Sequence, residues 1–362
     1  MIAGHLLVPE TNKPWATDRS RVLPLWPKWV WFTLVAVIAI DLIWIATPHA
    51  SLSTNSWSSL MSVGLCGAAL VLLAHRCRLG PRTHTLIMGF TITLAFWPAL
   101  KVLNHLTMSI ELPLADAVLA SGDQILGLHW LSYIKWLDSY PTIVWAMGAV
   151  YGGLSTYCCV IFLVVLIFYG HIRAIEFTSL FVATAVFTII VGPLFPAKGA
   201  MVFFSPDVDQ FNFISTKMGT YFWEPLSNIR MSDHLILDIH HLPGLVAFPS
   251  FHTTMGIIGI YACRGHAALL IPSLSLNGLM IASTPLFGGH YFVDIIAGII
   301  VAVGAIYLYQ TFSKQTDHNA SVPIASKGNQ ATEIFATFGG ADVVATAARP
   351  SRPLVKDSHE RE

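Results

Sequence analysis

Phe248-Pro249-Ser250-Phe251-His252-Thr253-Thr254 and, further on, Gly288-Gly289-His290-Tyr291-Phe292-Val293-Asp294 each lead into an apolar run, and a third apolar run lies between them. His290 and Asp294 are four residues apart. On a helix they therefore share one face, and the carboxylate can hold the imidazole in one tautomer and orientation. His252 follows a proline suited to a helix's first turn. Together with the Ser250 hydroxyl it sits where free N–H groups and the macrodipole favour an anion. Gly288 and Gly289 leave room for backbone amides to approach the same place.

The rest of the chain decides what these helices are. Of 362 residues, 54% are hydrophobic and only 11% charged, where a soluble domain carries about 25% charged residues. The apolar residues gather at 29–46, 57–75, 84–103, 142–169, 175–194, 249–263, 267–285 and 290–311. These runs approach the roughly 20 residues needed to cross a bilayer. The expected fold is an all-α polytopic membrane helix bundle of about eight transmembrane helices. The first run follows a mostly polar segment with no small-residue cleavage site, so it reads as a retained helix. The net charge is zero, and the five cysteines form no CxxC pattern, so neither a disulfide framework nor a structural zinc site is indicated. No glycine-rich phosphate loop and no basic patch suited to nucleic acid is present.

Lysine and arginine placement sets the expected orientation. Arg76, Arg78, Arg82, Arg173, Arg264 and Lys314 fall on the side of the N-terminal segment. Both termini are expected in the cytoplasm, and the starts of the His252 and His290 helices at the extracytoplasmic face. Two long connections break the pattern. Asn104–Tyr140 mixes Trp, Tyr and scattered charge, as amphipathic helices at the interface do. Phe195–Ala247 is long and aromatic and is expected to form a packed cap on the outer side. The expected partition is a cytoplasmic segment over 1–28, N-terminal membrane helices over 29–103, a membrane catalytic core over 104–311 and a disordered cytoplasmic tail over 312–362. Trp97, Trp145 and Trp223 read as packing and interfacial anchors. Asp41 lies in the first helix with no obvious partner in sequence, and His240 and His241 are adjacent on a loop, a poor geometry for binding one metal ion.

The pairing of Pro249-Ser250-x-His252 with Ser283-Thr284, five residues, His290, three residues and Asp294 resembles the motifs of the type 2 phosphatidic acid phosphatase superfamily. The form Phe-Pro-Ser-x-His with Gly-His-Tyr-Phe-Val-Asp is similar to the branch containing inositol phosphorylceramide synthase and its bacterial relatives. The segment Asp116…Asp123…Leu126-Gly127-Leu128-His129-Trp130 and the stretch Phe195-Pro196-Ala197 extend that resemblance over about residues 110–310. It implies a six-helix membrane core and a metal-free, cofactor-free phosphohistidine mechanism. His290 would be the nucleophile, Asp294 its orienting base and His252 the acid for the leaving oxygen. Ser250 and the backbone near Gly289 would hold phosphate oxygens.

The chain departs from the family's pattern in three places. Phe251 replaces the glycine of Pro-Ser-Gly-His, and Ser205 and Thr284 stand where the family has its two motif arginines. Lys198 and Arg230 are therefore the expected phosphate-binding cations. The expected partners are a lipid phosphate or phospholipid and the bilayer. The rival expectation is a lipid-binding or transport protein that keeps the fold without catalysis.

Overall fold

The computed structural model describes residues 26–77 and 79–321. The N-terminal segment before Trp26, Arg78 and the tail beyond Ser321, with the expectations attached to them, lie outside the described residues. The eight apolar runs all fall on helices. They are α1 (Lys28–Ile45), α2 (Thr54–Arg76), α3 (Pro81–Met108), the pair α6 (Pro141–Gly152) and α7 (Leu154–Phe168), α8 (His171–Val191), α11 (Phe251–Ala262), α12 (Ala267–Phe287) and α13 (Phe292–Ser321). Between them lie α4 (Asp116–Ile125), α5 (Trp130–Asp138), α9 (Ala200–Phe204) and α10 (Trp223–Arg230). Among the described residues, six helices are long and apolar enough to cross a membrane, and the α6–α7 pair makes a seventh if taken as one broken span.

Four boundaries differ from the sequence expectation, the largest at the end of α13, which runs to Ser321 where its apolar run is expected to end at 311 and a tail to begin. The run 142–169 is not one helix: it bends by 68° between α6 and α7, at Gly152-Gly153, where two residues of poor helix propensity adjoin. α3 continues to Met108, past the expected end near residue 103, because Val102, Leu103 and Leu106 still find an apolar core there. α11 has only 12 residues, about 18 Å of rise against a hydrocarbon core of about 30 Å. It is not among the helices long enough to cross, so the eight spans expected become six, or seven with the α6–α7 pair, among the described residues.

α1, α3 and α8 share one apolar core, built on Val30, Leu34 and Val37 against Ile92, Phe96 and Val182. α7, α8, α11 and α13 share another around Val165, Leu180, Met255, Ile258 and Ala302. The N-terminal helices thus pack on α8, which in turn packs on the motif helix α11. The long connection over 195–247 is pinned back to the first helices by a parallel pair of three-residue strands, β1 (Ala50–Leu52) and β2 (Leu235–Leu237), with Ser51 opposite Ile236. His240 adds a bond to Ser59, with its Nε2 2.9 Å from the hydroxyl, while His241 pairs with Asp238 at 3.1 Å. Asp41 Oδ1 and His105 Nε2 are buried with no hydrogen-bond partner among the described residues.

The expected interfacial helices are α4 and α5, and their carboxylates act as staples for backbone elsewhere. Asp116 accepts the amides of Lys198 at 3.0 Å and Gly199 at 3.1 Å and the Tyr291 hydroxyl at 2.8 Å. Asp123 accepts the amides of Phe292 at 3.0 Å and Val293 at 2.8 Å, the first donors of α13, which the helix itself leaves unpaired. Asp138 accepts the amides of Asn212, Phe213 and Ile214 at 2.6–2.9 Å.

Burial pushes the Asp138 carboxyl up, but those three amides and the Asn212 side chain outweigh it and hold the group below the usual carboxylate range. A carboxyl held low in the folded chain adds stability above its unfolded value, near pH 4. That stability is lost as pH falls through the lower folded value. Amide exchange at 212–214 is therefore expected to lose protection as pH drops from about 5 to about 3. Asp138→Ala should show the same loss at neutral pH. Unchanged protection in both conditions would contradict the staple.

Candidate active site

His290 enters α13 through a backbone turn that its neighbours require. Gly289 has φ +63° and Gly219, facing it from the 195–247 connection, φ +70°. A Cβ on Gly219 would lie 2.4 Å from the Leu286 oxygen and 2.7 Å from the Gly289 nitrogen. The Gly289 oxygen accepts the Ala200 amide at 2.8 Å, and the His290 amide donates to the Thr284 oxygen at 3.3 Å. The turn is therefore held by backbone from both sides.

The His290 side chain is 3% exposed and Asp294 fully buried. His290 Nδ1 lies 3.2 Å from Asp294 Oδ2, and the same oxygen accepts the Tyr291 amide at 2.9 Å. An ionised carboxylate only accepts, so Nδ1 carries the proton and Nε2 keeps its lone pair. This is the tautomer that a nucleophilic imidazole needs.

His252 is tied to His290 through the backbones of their helices. Ser250 caps α11: its hydroxyl accepts the Thr253 amide at 3.4 Å and the Thr253 hydroxyl at 3.2 Å. The Ser250 amide donates to the Asp294 oxygen at 3.0 Å, and the Thr254 hydroxyl donates to the Gly298 oxygen at 3.0 Å. At Gly298 a Cβ would meet the Ser250 oxygen at 2.5 Å, so only glycine admits this approach of α11 to α13. The His252 ring stacks on Tyr151, with centroids 4.0 Å apart and planes 11° from parallel. The Tyr151 hydroxyl in turn lies 3.3 Å from that of Tyr221 on the 195–247 connection.

Both imidazoles line one cavity of about 350 Å³. Its walls include Tyr151, Gly152 and Leu154 at the α6–α7 bend, Tyr221 and Phe222, and Pro243, Gly244, Leu245 and Val246. The helix break that the sequence reading did not anticipate is thus part of the cavity wall. Irregular backbone at membrane depth is tolerated where it lines a cavity and its polar groups are satisfied. The Leu245 amide meets this condition by donating to Asn104 Oδ1 at 2.9 Å. A second, apolar cavity of about 160 Å³ adjoins the first, running along α3 from Trp97 to Gly89 between Phe162 and Phe177. The two share Trp97, Ser155, Cys158 and Phe181. Trp97, read from sequence as an anchor, therefore lines both.

Of the residues nominated as phosphate-binding, Gly289 sits between the lining residues Gly288 and His290, and Ser250 directly precedes the lining residues Phe251 and His252. Ser250, Gly289, Lys198 and Arg230 do not line the cavity of the two histidines. Ser250 is engaged in the cap described above. Lys198 holds its ammonium 5.5 Å from the Phe203 ring centroid. Arg230 donates through Nη2 to the Leu112 oxygen at 2.8 Å. The hydroxyls of Ser283 and Thr284 bond back to the oxygens of Met280 and Ile281 in their own helix. The cavity is instead lined by Lys101 and Asn104 of α3. Sequence reasoning gave neither a role, although the spacing of three residues and the placement of two polar groups in an apolar run were visible.

Residues 117–308 match the family profile described as the PAP2 superfamily. This is 192 of the chain's 362 residues (308 − 117 + 1) and includes every residue of the His252 and His290 motifs. No curated protein and no solved structure matches the chain.

Proposed function

The chain belongs to the PAP2 superfamily, and from that premise we propose that it is an integral-membrane, metal-independent lipid phosphatase or phosphotransferase working through a phosphohistidine. His290 Nε2 attacks phosphorus and the bond to the leaving oxygen breaks, with His252 giving that oxygen its proton. An acceptor hydroxyl then attacks the phosphohistidine, passes its proton to His252 and breaks the P–N bond. Asp294 keeps Nδ1 protonated throughout, stabilising the cationic ring as charge develops. The observation that carries this reading is the placement of both imidazoles on one cavity, one of them oriented by a buried carboxylate.

A lipid ester is favoured over a soluble one by the adjoining apolar compartment, which suits an acyl chain while the phosphate meets the histidines. Ser155 is exposed at the neck between the two cavities. Ser155→Trp is expected to raise KM for long-chain esters about 30-fold relative to short-chain ones, since excluding two or three methylenes forfeits roughly 2 kcal/mol. An unchanged long-to-short ratio would remove the compartment from the account.

Water as acceptor makes the enzyme a phosphatase. A lipid or polyol hydroxyl makes it a phosphotransferase of the inositol phosphorylceramide synthase kind. Incubating the purified protein with labelled phospholipid, alone and with ceramide or diacylglycerol, separates the two by product. No turnover in any mixture, with lipid still bound, would instead support the non-catalytic reading, to which the absent motif arginines lend weight. In this proposal the active site opens at the extracytoplasmic face and both termini are cytoplasmic.

A further inference from the structure

Phosphoryl transfer concentrates negative charge on the non-bridging oxygens, and a site without a metal needs a cationic side chain against them. The family's motif arginines are replaced here by Ser205 and Thr284, and neither Lys198 nor Arg230 lines the cavity of the two histidines. α3 supplies the missing charge. Among the described residues that line the histidine cavity, Lys101 is the only lysine or arginine. Its ammonium lies 5.6 Å from the Trp97 ring centroid. None of the ion pairs among the described residues includes it.

Three residues on, and so on the same side of the helix, Asn104 is 5% exposed. Its Oδ1 is used by the Leu245 amide, while its Nδ2 is buried with no hydrogen-bond partner. A buried donor left unsatisfied is costly and rare in a native interior. An ammonium with no carboxylate and an amide with unused donors, on the wall that holds both histidines, are what an anion requires.

Resting on the reading above, we propose that Lys101 and Asn104 bind the phosphate oxygens of the ester that His290 attacks, taking over the charge role of the absent arginines. Both residues precede residue 117, so they lie outside the region that matches the family profile. The N-terminal helices therefore complete the site and are not an appendage to it. Lysine suits the place as a point charge needing no planar partner, and an apolar surround strengthens its effect.

The test uses the full chain in detergent micelles, with a short-chain phosphatidic acid as substrate and vanadate as the phosphate mimic, its binding followed by calorimetry. Lys101→Met is expected to lower kcat/KM by about 30-fold or more and to weaken vanadate by a similar factor, with the melting temperature unchanged. Lys101→Arg should recover most of both. Asn104→Asp keeps an acceptor for the Leu245 amide but sets an anion where the amide donated, and should weaken vanadate further. The proposal is overturned if Lys101→Met leaves turnover and vanadate affinity within about twofold of the parent, or if the parent binds no vanadate. Losses on Lys198→Ala or Arg230→Ala with Lys101→Met silent would return the charge role to those residues. Should the parent turn over no ester, the functional reading fails, and vanadate binding by the same variants still decides the role of Lys101.

Discussion

Replacing His290 by alanine is expected to reduce turnover by about 10⁴-fold or more, whatever the leaving group. The attacking nitrogen is gone, and nothing else on the cavity wall is a comparable nucleophile held by a carboxylate. His252→Ala should behave differently. Its loss removes the proton given to the leaving oxygen, so alkyl esters should suffer by roughly 10²–10⁴-fold. An aryl phosphate, whose oxygen departs without help, should suffer much less. Asp294→Asn keeps the size of the side chain but removes the charge that stabilises the imidazolium. Its expected effect is a large loss of kcat with little change in KM. Steady-state rates on paired alkyl and aryl substrates check all three. Equal losses on both substrates in His252→Ala would deny that residue its role as the acid.

The second large effect is expected from a residue that touches no substrate. Gly219→Ala places a Cβ in a left-handed backbone conformation, worth about 1–2 kcal/mol, and drives it against backbone atoms of Leu286 and Gly289. Backbone that is itself hydrogen-bonded cannot yield as a side-chain tip does, so overpacking adds roughly 1–3 kcal/mol. Relief by moving the Gly289 turn would displace His290, and a misplacement of about 1 Å can cost 10²-fold in rate. Gly127 provides the control. It has the same φ of +70° but open space around its Cβ position, so Gly127→Ala should lose only the conformational term and leave turnover alone. Thermal unfolding and kcat measured on both variants test this. Equal behaviour of the two would show that the turn at Gly289 does not position the histidine.

What could be read in the sequence was what is local in it. The eight apolar runs became helices because length and composition decide that, and the His290–Asp294 pair was legible because four residues on a helix meet whatever else happens. The proline and serine before His252 marked the start of α11 for the same reason. The bend at Gly152-Gly153 was written as a glycine pair, but the surrounding apolar run concealed it. The rest depends on partners far apart along the chain. Asn104 meets Leu245 across 141 residues, and Asp116 meets Tyr291 across 175. β1 and β2 pair through three residues each, too few to carry a periodic signal. Lys198 and Arg230 were chosen because they share a loop leading to the site, Lys198 also because its spacing to Ser205-Pro206 resembles the family's first motif in part. Packing turned one onto an aromatic ring and the other onto a carbonyl, which loop membership does not predict.

The most direct test is chemical trapping. The protein is mixed with ³²P-labelled lipid phosphate, quenched in alkali within the first turnover and digested, and the label is located by mass spectrometry. The account predicts acid-labile, alkali-stable phosphate on the peptide holding His290, absent from His290→Ala and, where the acceptor is a lipid or polyol, accumulating when that acceptor is withheld. Label on another residue, or turnover by His290→Ala at the parent rate, would contradict it.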